Sequence, residues 1–185
     1  MDIVAEKKFE KVNALPVGEY ELCVFTGCDF SDKDFSGSKF IECEFKDCNL
    51  SLAKISNVIF RDTKFRDCKM LGMMFNTCNS FGFSAGFENC NLQHASFYQR
   101  KMKGFIFRNS NLTEVDFTEC DLTLANFDTC DFAGATFDRT ILEKADLQTS
   151  FNYIINPEQN KIKKAKFSLS GIPGLLLQYD IQIIV

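Results

Sequence analysis

Residues 25–50 read FTGCDFSDKDFSGSKFIECEFKDCNL, and phenylalanine returns at every fifth place, at Phe25, Phe30, Phe35, Phe40 and Phe45, with Leu50 next. Cysteine keeps the same beat two places earlier, at Cys28, Cys43 and Cys48. A period of five fits neither the 3.6 of a helix nor the 2 of a strand. Followed outward, the large apolar centres run from Tyr20 to Phe75, slip by two residues within NTCNSFGFSAGF (76–87), and resume from Phe87 to Leu147. All 25 centres are apolar or aromatic and 15 are Phe, which rules out coincidence.

Two places before each centre stands a mostly small residue, as at Cys28, Ser38, Ala53, Thr63, Ala95, Ser110 and Ala145, and the other three positions are polar. One large and one small inward residue with three outward ones describe one side of a square coil. Four sides make a coil of about 20 residues, and coils stack at about the 4.8 Å spacing of paired strands. The stretches LANFD, FAGATF, EKADL and LTEVDF closely match the consensus A(D/N)LXX, and the chain resembles the pentapeptide-repeat family on these motifs over residues 20–147. That resemblance implies an all-β solenoid, a right-handed quadrilateral parallel β-helix, whose stacked repeats need covering at both ends.

The slip can be tested on the columns it would create. If no side is skipped, one column of core centres reads Phe25, Phe45, Phe65, Phe87, Phe107, Phe127, and the small column beside it reads Cys28, Cys48, Cys68, Cys90, Ser110, Cys130. Both stay chemically uniform, so the slip near 76–86 reads as a bulge within one helix, helped by Gly82 and Gly86. The expected organisation is an N-terminal cap over 1–19, the repeat helix over 20–167, and a C-terminal helix and strand over 168–185.

Composition narrows the function. A net charge of −4 argues against direct nucleic-acid binding through a basic surface. No export signal and no apolar run of membrane length is present, so a soluble, cytoplasmic protein without membrane contact is expected. Nine cysteines without an export signal read as reduced thiols. All nine occupy the small inward position, where a straight column cannot converge four sulfurs tetrahedrally on a metal. Parallel Cβ atoms about 4.8 Å apart also exceed the usual disulfide separation of about 3.5–4.5 Å. The thiols are therefore read as packing, and neither metal nor cofactor is expected. The single histidine, His94, falls at an outward position, and no phosphate loop, nucleophile elbow or HExxH motif occurs. Outward residues on a smooth solenoid form no cleft, so no catalytic residue is assigned and the chain is not read as an enzyme.

Two residues break the pattern: Lys33 and Arg100 stand at small inward positions, where an unpaired charge would be costly. Arg100 also lies in a basic stretch with Lys101, Lys103 and Arg108. Acidic residues concentrate between Glu114 and Asp146, where nine acids against two bases net −7. Glu114, Asp116, Glu119, Asp121, Asp128, Asp131, Asp138 and Asp146 are the candidate acidic interaction face. Their local charge density approaches that of duplex DNA, which carries about one charge per 1.7 Å.

After Leu147 the repeat loosens, and FSLSGIPGLLLQYDIQIIV follows from Phe167. Ser170 and Pro173 signal a short helix start, and IQIIV alternates like a final strand. So much apolar surface at the end of a narrow solenoid suggests an isologous homodimer with Leu175, Leu176, Leu177, Tyr179, Ile181 and Ile183 at the interface. This tail is similar to that of the Qnr and MfpA branch of the family. The similarity implies head-to-head dimers that bind DNA gyrase or topoisomerase IV as mimics of duplex DNA, with quinolone protection in some cases. The alternative expectation is a repeat scaffold for a different partner, with acidity serving solubility.

Overall fold

Short parallel strands wind into a four-sided β-helix of about eight turns, closed by one short C-terminal helix. This is a computed structural model, and it describes residues 3–184. The first side carries Ile3–Ala5, Glu19–Glu21, Lys39–Ile41 and Ile59–Arg61. It continues above the slip through single bridges from Lys101 to Asp121, Ile141 and Lys161. The second side is an unbroken sheet of nine strands from Lys8–Glu10 to Lys166–Phe167. The third follows Asp29, Asn49, Lys69, Asn91, Asn111, Asp131 and Phe151, and the fourth includes Met74, Ser96, Asp116 and Thr136.

The centres fill the interior as ring columns. On the second side, Phe25–Phe45, Phe45–Phe65, Phe65–Phe87, Phe87–Phe107 and Phe107–Phe127 stack with centroids 4.6, 5.2, 5.4, 4.9 and 5.1 Å apart. Those spacings approximate the rise set by strand pairing, so ring stacking and the backbone ladder reinforce each other. Where the beat slips, Thr63–Arg66 still pairs in parallel with Ala85–Glu88, Phe65 beside Phe87.

Nearly every corner is turned by the residue two places after a centre, which adopts a left-handed conformation. Examples are Asp47, Leu52, Glu114 and Leu124, with φ of 53°, 58°, 55° and 61°. Non-glycine residues rarely sit there, yet the geometry recurs because four right-angled turns per coil demand it. Gly27, Gly37, Gly72, Gly104 and Gly134 fall at the same place, where glycine takes this conformation without strain.

Both ends depart from expectation. Residues 3–10 do not form a separate cap. They add two strands, with Val4 registered on Tyr20 and Phe9 on Phe25, and the Phe9 ring stacks 5.0 Å from Phe25. The reason is that an uncovered solenoid end is a sheet edge whose best cover is another strand. At the other end, Leu169–Gly171, Pro173–Leu176 and Leu177–Tyr179 make consecutive short helical turns. The final strand expected from IQIIV is absent: residues 181–184 pair with nothing among the described residues. Instead Ile181 and Ile183 lie over a groove shared with Ala133, Asn152 and Tyr153 of the last coils.

Candidate interaction surfaces

The small inward slot donates hydrogen bonds as well as saving space. Cys43 Sγ donates to the Tyr20 carbonyl at 3.3 Å, Cys48 to Phe25 at 3.4 Å, and Cys90 to Phe65 at 3.4 Å. Thr63 Oγ1 donates to Phe40 at 3.0 Å, Thr140 Oγ1 to Phe117 at 2.8 Å, and Asn160 Nδ2 to Phe137 at 3.0 Å. Each bond reaches the carbonyl of a centre one coil below, so the slot takes any short donor. All nine cysteines are free and buried. Burial pushes the Cys43, Cys120 and Cys130 thiols up to about 12. Such groups remain protonated at neutral pH, and a thiol is a poor nucleophile and metal ligand.

Lys33 escapes the slot and is exposed. Arg100 stays in it at 6% exposure. Its Nε donates to the Phe75 carbonyl at 2.9 Å, the same kind of bond its neighbours in the slot make. Its Nη2 reaches further, to the carbonyls of Cys78 at 2.6 Å and Asn79 at 3.3 Å, where the slip begins. The guanidinium carbon also lies 4.9 Å from the Phe83 ring centre, a cation–π contact. Burial pushes the Cys78 thiol up to about 12, with the Arg100 charge opposing it. The misfit is therefore a staple for the slip. From sequence its position was visible and its partners were not.

The candidate acids do not share one side. Asp116 lies on the fourth, Asp121 on the first, Asp131 on the third, and Asp128 and Asp146 on the second, so together they form a belt around the upper coils. Four of them close the turn of their own coil. Asp116, Asp121, Asp131 and Asp146 each accept from the backbone N–H two residues on, at 2.9, 3.0, 3.0 and 3.2 Å. Asn49 and Asn111 do the same at 3.1 and 2.9 Å, which explains the D/N of the repeat in structural terms. The other four are not turn-closers: Glu114 meets His94 Nδ1 at 2.9 Å, Glu119 meets Arg139 at 2.8 Å, Asp138 meets Arg139 at 3.1 Å, and Asp128 accepts from Thr149 at 3.0 Å. Hydrogen bonds from Gln99 and Arg139 hold the Glu119 carboxyl below its usual range.

The tail is clamped to the last coils through Tyr153. A Cβ at Gly171 or Gly174 would collide with Tyr153, and Ile155 N donates to the Gly174 carbonyl at 3.0 Å. Leu175, one of the expected interface residues, is instead buried against its own coils by this clamp. Leu176 is half-buried, while Leu177, Tyr179, Ile181 and Ile183 are exposed. Leu177, Ile181 and Ile183 border a groove of about 760 Å³ lined by Tyr153, Ile154, Pro173 and Leu176.

The pentapeptide-repeat model, a repeat region, matches residues 19–81 and 83–150, the two stretches on either side of the slip. The chain belongs to the pentapeptide-repeat family. Among solved structures of repeat proteins, HetL, involved in heterocyst differentiation in the cyanobacterium Nostoc, aligns over 91% of this chain and 87% of its own, with a TM-score of 0.65 and 15% identity. That likeness shows a shared fold. A trypsin-treated form of QnrB1, a plasmid-mediated fluoroquinolone resistance protein, aligns over 98% of this chain and 97% of its own, with a TM-score of 0.47 and 23% identity. No curated protein matches the chain.

Proposed function

We propose that this pentapeptide-repeat protein is a non-catalytic, dimeric interaction module that engages DNA gyrase or topoisomerase IV through its acidic upper coils. The observation that carries the reading is the belt of carboxylates between Glu114 and Asp146, nine acids against two bases, lying next to an exposed apolar tail. Duplex DNA shows negative charge on every side of a cylinder, so a belt suits mimicry better than a single face would. Two copies joined through Leu177, Tyr179, Ile181 and Ile183 would place two such belts end to end. The tail's similarity to the Qnr and MfpA branch supports the same partner.

Purified gyrase tests this directly. Binding and altered supercoiling at micromolar protein are expected, weakened when Glu114, Glu119, Asp128 and Asp138 become amides. Neither binding nor an effect on supercoiling would sink the topoisomerase reading. Sedimentation tests the dimer separately, with Ile181→Asp/Ile183→Asp expected to give monomers.

One observation favours the rival, a scaffold for another partner. Half of the candidate carboxylates are turn-closers interchangeable in role with Asn49 and Asn111. On that reading the amide variants would leave the cellular partner's binding unchanged.

A further inference from the structure

The slip is where the solenoid departs furthest from its own repeat, and a buried guanidinium holds it there. Arg100 donates to three carbonyls, those of Phe75, Cys78 and Asn79, so the start of the bulge over 79–84 is anchored. At its tip Phe81 is 81% exposed, an unusual place for a phenylalanine in a chain that buries almost all the others. Its flank turns into the second side at Gly86, which is registered between Lys64 and Ile106. No atom would meet a Cβ built on Gly86. The missing side chain leaves a notch in the sheet, seen as two hollows of about 180 and 330 Å³ that share Lys64, Gly86 and Ile106.

The charge around this notch opposes that of the rest of the chain. Lys64, Lys103 and Arg108 line it, and Arg61 sits beside Phe81. None of these four cations forms an ion pair among the described residues. The two carboxylates that line the notch are occupied: Asp62 accepts from Ser84 Oγ at 2.9 Å, and Glu88 pairs with Arg66 at 3.2 Å. An otherwise acidic rod thus keeps a cationic patch with an exposed aromatic ring at one edge and an apolar hollow at its centre.

We propose that the slip and the Gly86 notch form a docking site for an acidic polypeptide segment. One apolar side chain of the segment fills the notch over Ile106, a second packs on Phe81, and flanking carboxylates meet Lys64, Lys103 and Arg108. A polypeptide suits the patch better than a nucleic acid does. The three strands that carry it span only about 10 Å, whereas affinity for a phosphate backbone grows with the number of phosphates neutralised. The site is independent of the acidic belt and of the tail.

Fluorescence anisotropy with a labelled decapeptide of Glu and Asp around a central Leu-Phe pair tests it at low salt. Saturable binding is expected, weakened about tenfold or more by Lys64→Glu/Lys103→Glu, because close charge pairs dominate such interfaces. The milder Lys64→Gln/Lys103→Gln, Phe81→Ser and the notch-filling Gly86→Leu should each weaken it too, with thermal melting used to confirm that every variant is folded. Absence of saturation, or binding indifferent to these changes, would overturn the proposal. So would tighter binding of a single-stranded oligonucleotide of equal charge, or self-association of the chain that the Lys64 reversal abolishes.

Discussion

Regular coils, such as the successive ones carrying Phe45 and Cys68, and the slipped coil through Phe75 and Phe83 solve one problem with different means. In the regular coil the ladder pairs nearly every backbone group, and a single short donor in the small slot completes it, as Cys68 Sγ does toward the Phe45 carbonyl at 3.4 Å. In the slipped coil the two additional residues pull carbonyls out of the ladder, and only a long side chain with several donors can recover them. Ring packing follows suit. Phe45–Phe65 stack with planes 15° apart, whereas Phe75–Phe83 and Phe83–Phe105 tilt at 46° and 36°. The regular slot tolerates a donor or none, as Ala53, Ala95 and Ala145 show, whereas the slipped coil depends on the guanidinium of Arg100.

The largest effect should come from breaking the regular stack. Phe107→Ala removes a fully buried ring between Phe87 and Phe127 and should cost about 4 kcal/mol, against roughly half that for Phe83→Ala in the looser coil. Chemical denaturation of both variants measures the contrast, and equal losses would contradict it.

Arg100→Met should cost about 3 kcal/mol, since it leaves the Cys78 and Asn79 carbonyls without a donor. The comparison sharpens if residues 79–84 are replaced by the Asp34–Gly37 sequence, which restores a five-residue side. In that background Arg100 loses its reason, and Arg100→Ser should be neutral or stabilising. A cost as large as in the native chain would show that the staple serves something other than the slip.

The smallest effect concerns the turn-closing carboxylates of the lower coils. Hydrogen bonds from Ser31 and Ser36 hold the Asp29 and Asp34 carboxyls below their usual range. A depressed folded value means their contribution is present above the unfolded pKa, near 3.9, and is lost as pH falls through the folded one. Asn at both positions keeps the turn-closing oxygen without the proton equilibrium. Urea midpoints followed between about pH 5 and 2 should therefore fall less steeply for Asp29→Asn/Asp34→Asn than for the native chain.

What could be read from the residues was what repeats. The period of five placed the ring columns and the thiols, because twenty-odd similar units average out local ambiguity. What could not be read depended on which groups meet across coils. Arg100 was visible as a misfit, but its partners are carbonyls released elsewhere, and carbonyls carry no sequence signature. The belt of acids looked like a face because its members are close along the chain, whereas each coil distributes them over four sides. Leu175 and Leu177 are alike on paper, and only the Tyr153 clamp decides that one is buried and the other exposed. The first strands were hidden because Val4 and Phe9 precede Tyr20 and Phe25 by 16 residues instead of a full coil.

A rod of near-identical turns faces a hazard that irregular proteins escape, since any turn can zip onto the wrong neighbour with most contacts intact. The slip removes that degeneracy. A chain wound one turn out of frame would carry the Arg100 guanidinium into a slot whose carbonyls are already taken, and would leave those of Cys78 and Asn79 without a donor. Both errors are heavily penalised in a dry interior. The bulge is thus a key cut into an otherwise uniform shaft, and it gives the winding chain one unambiguous frame.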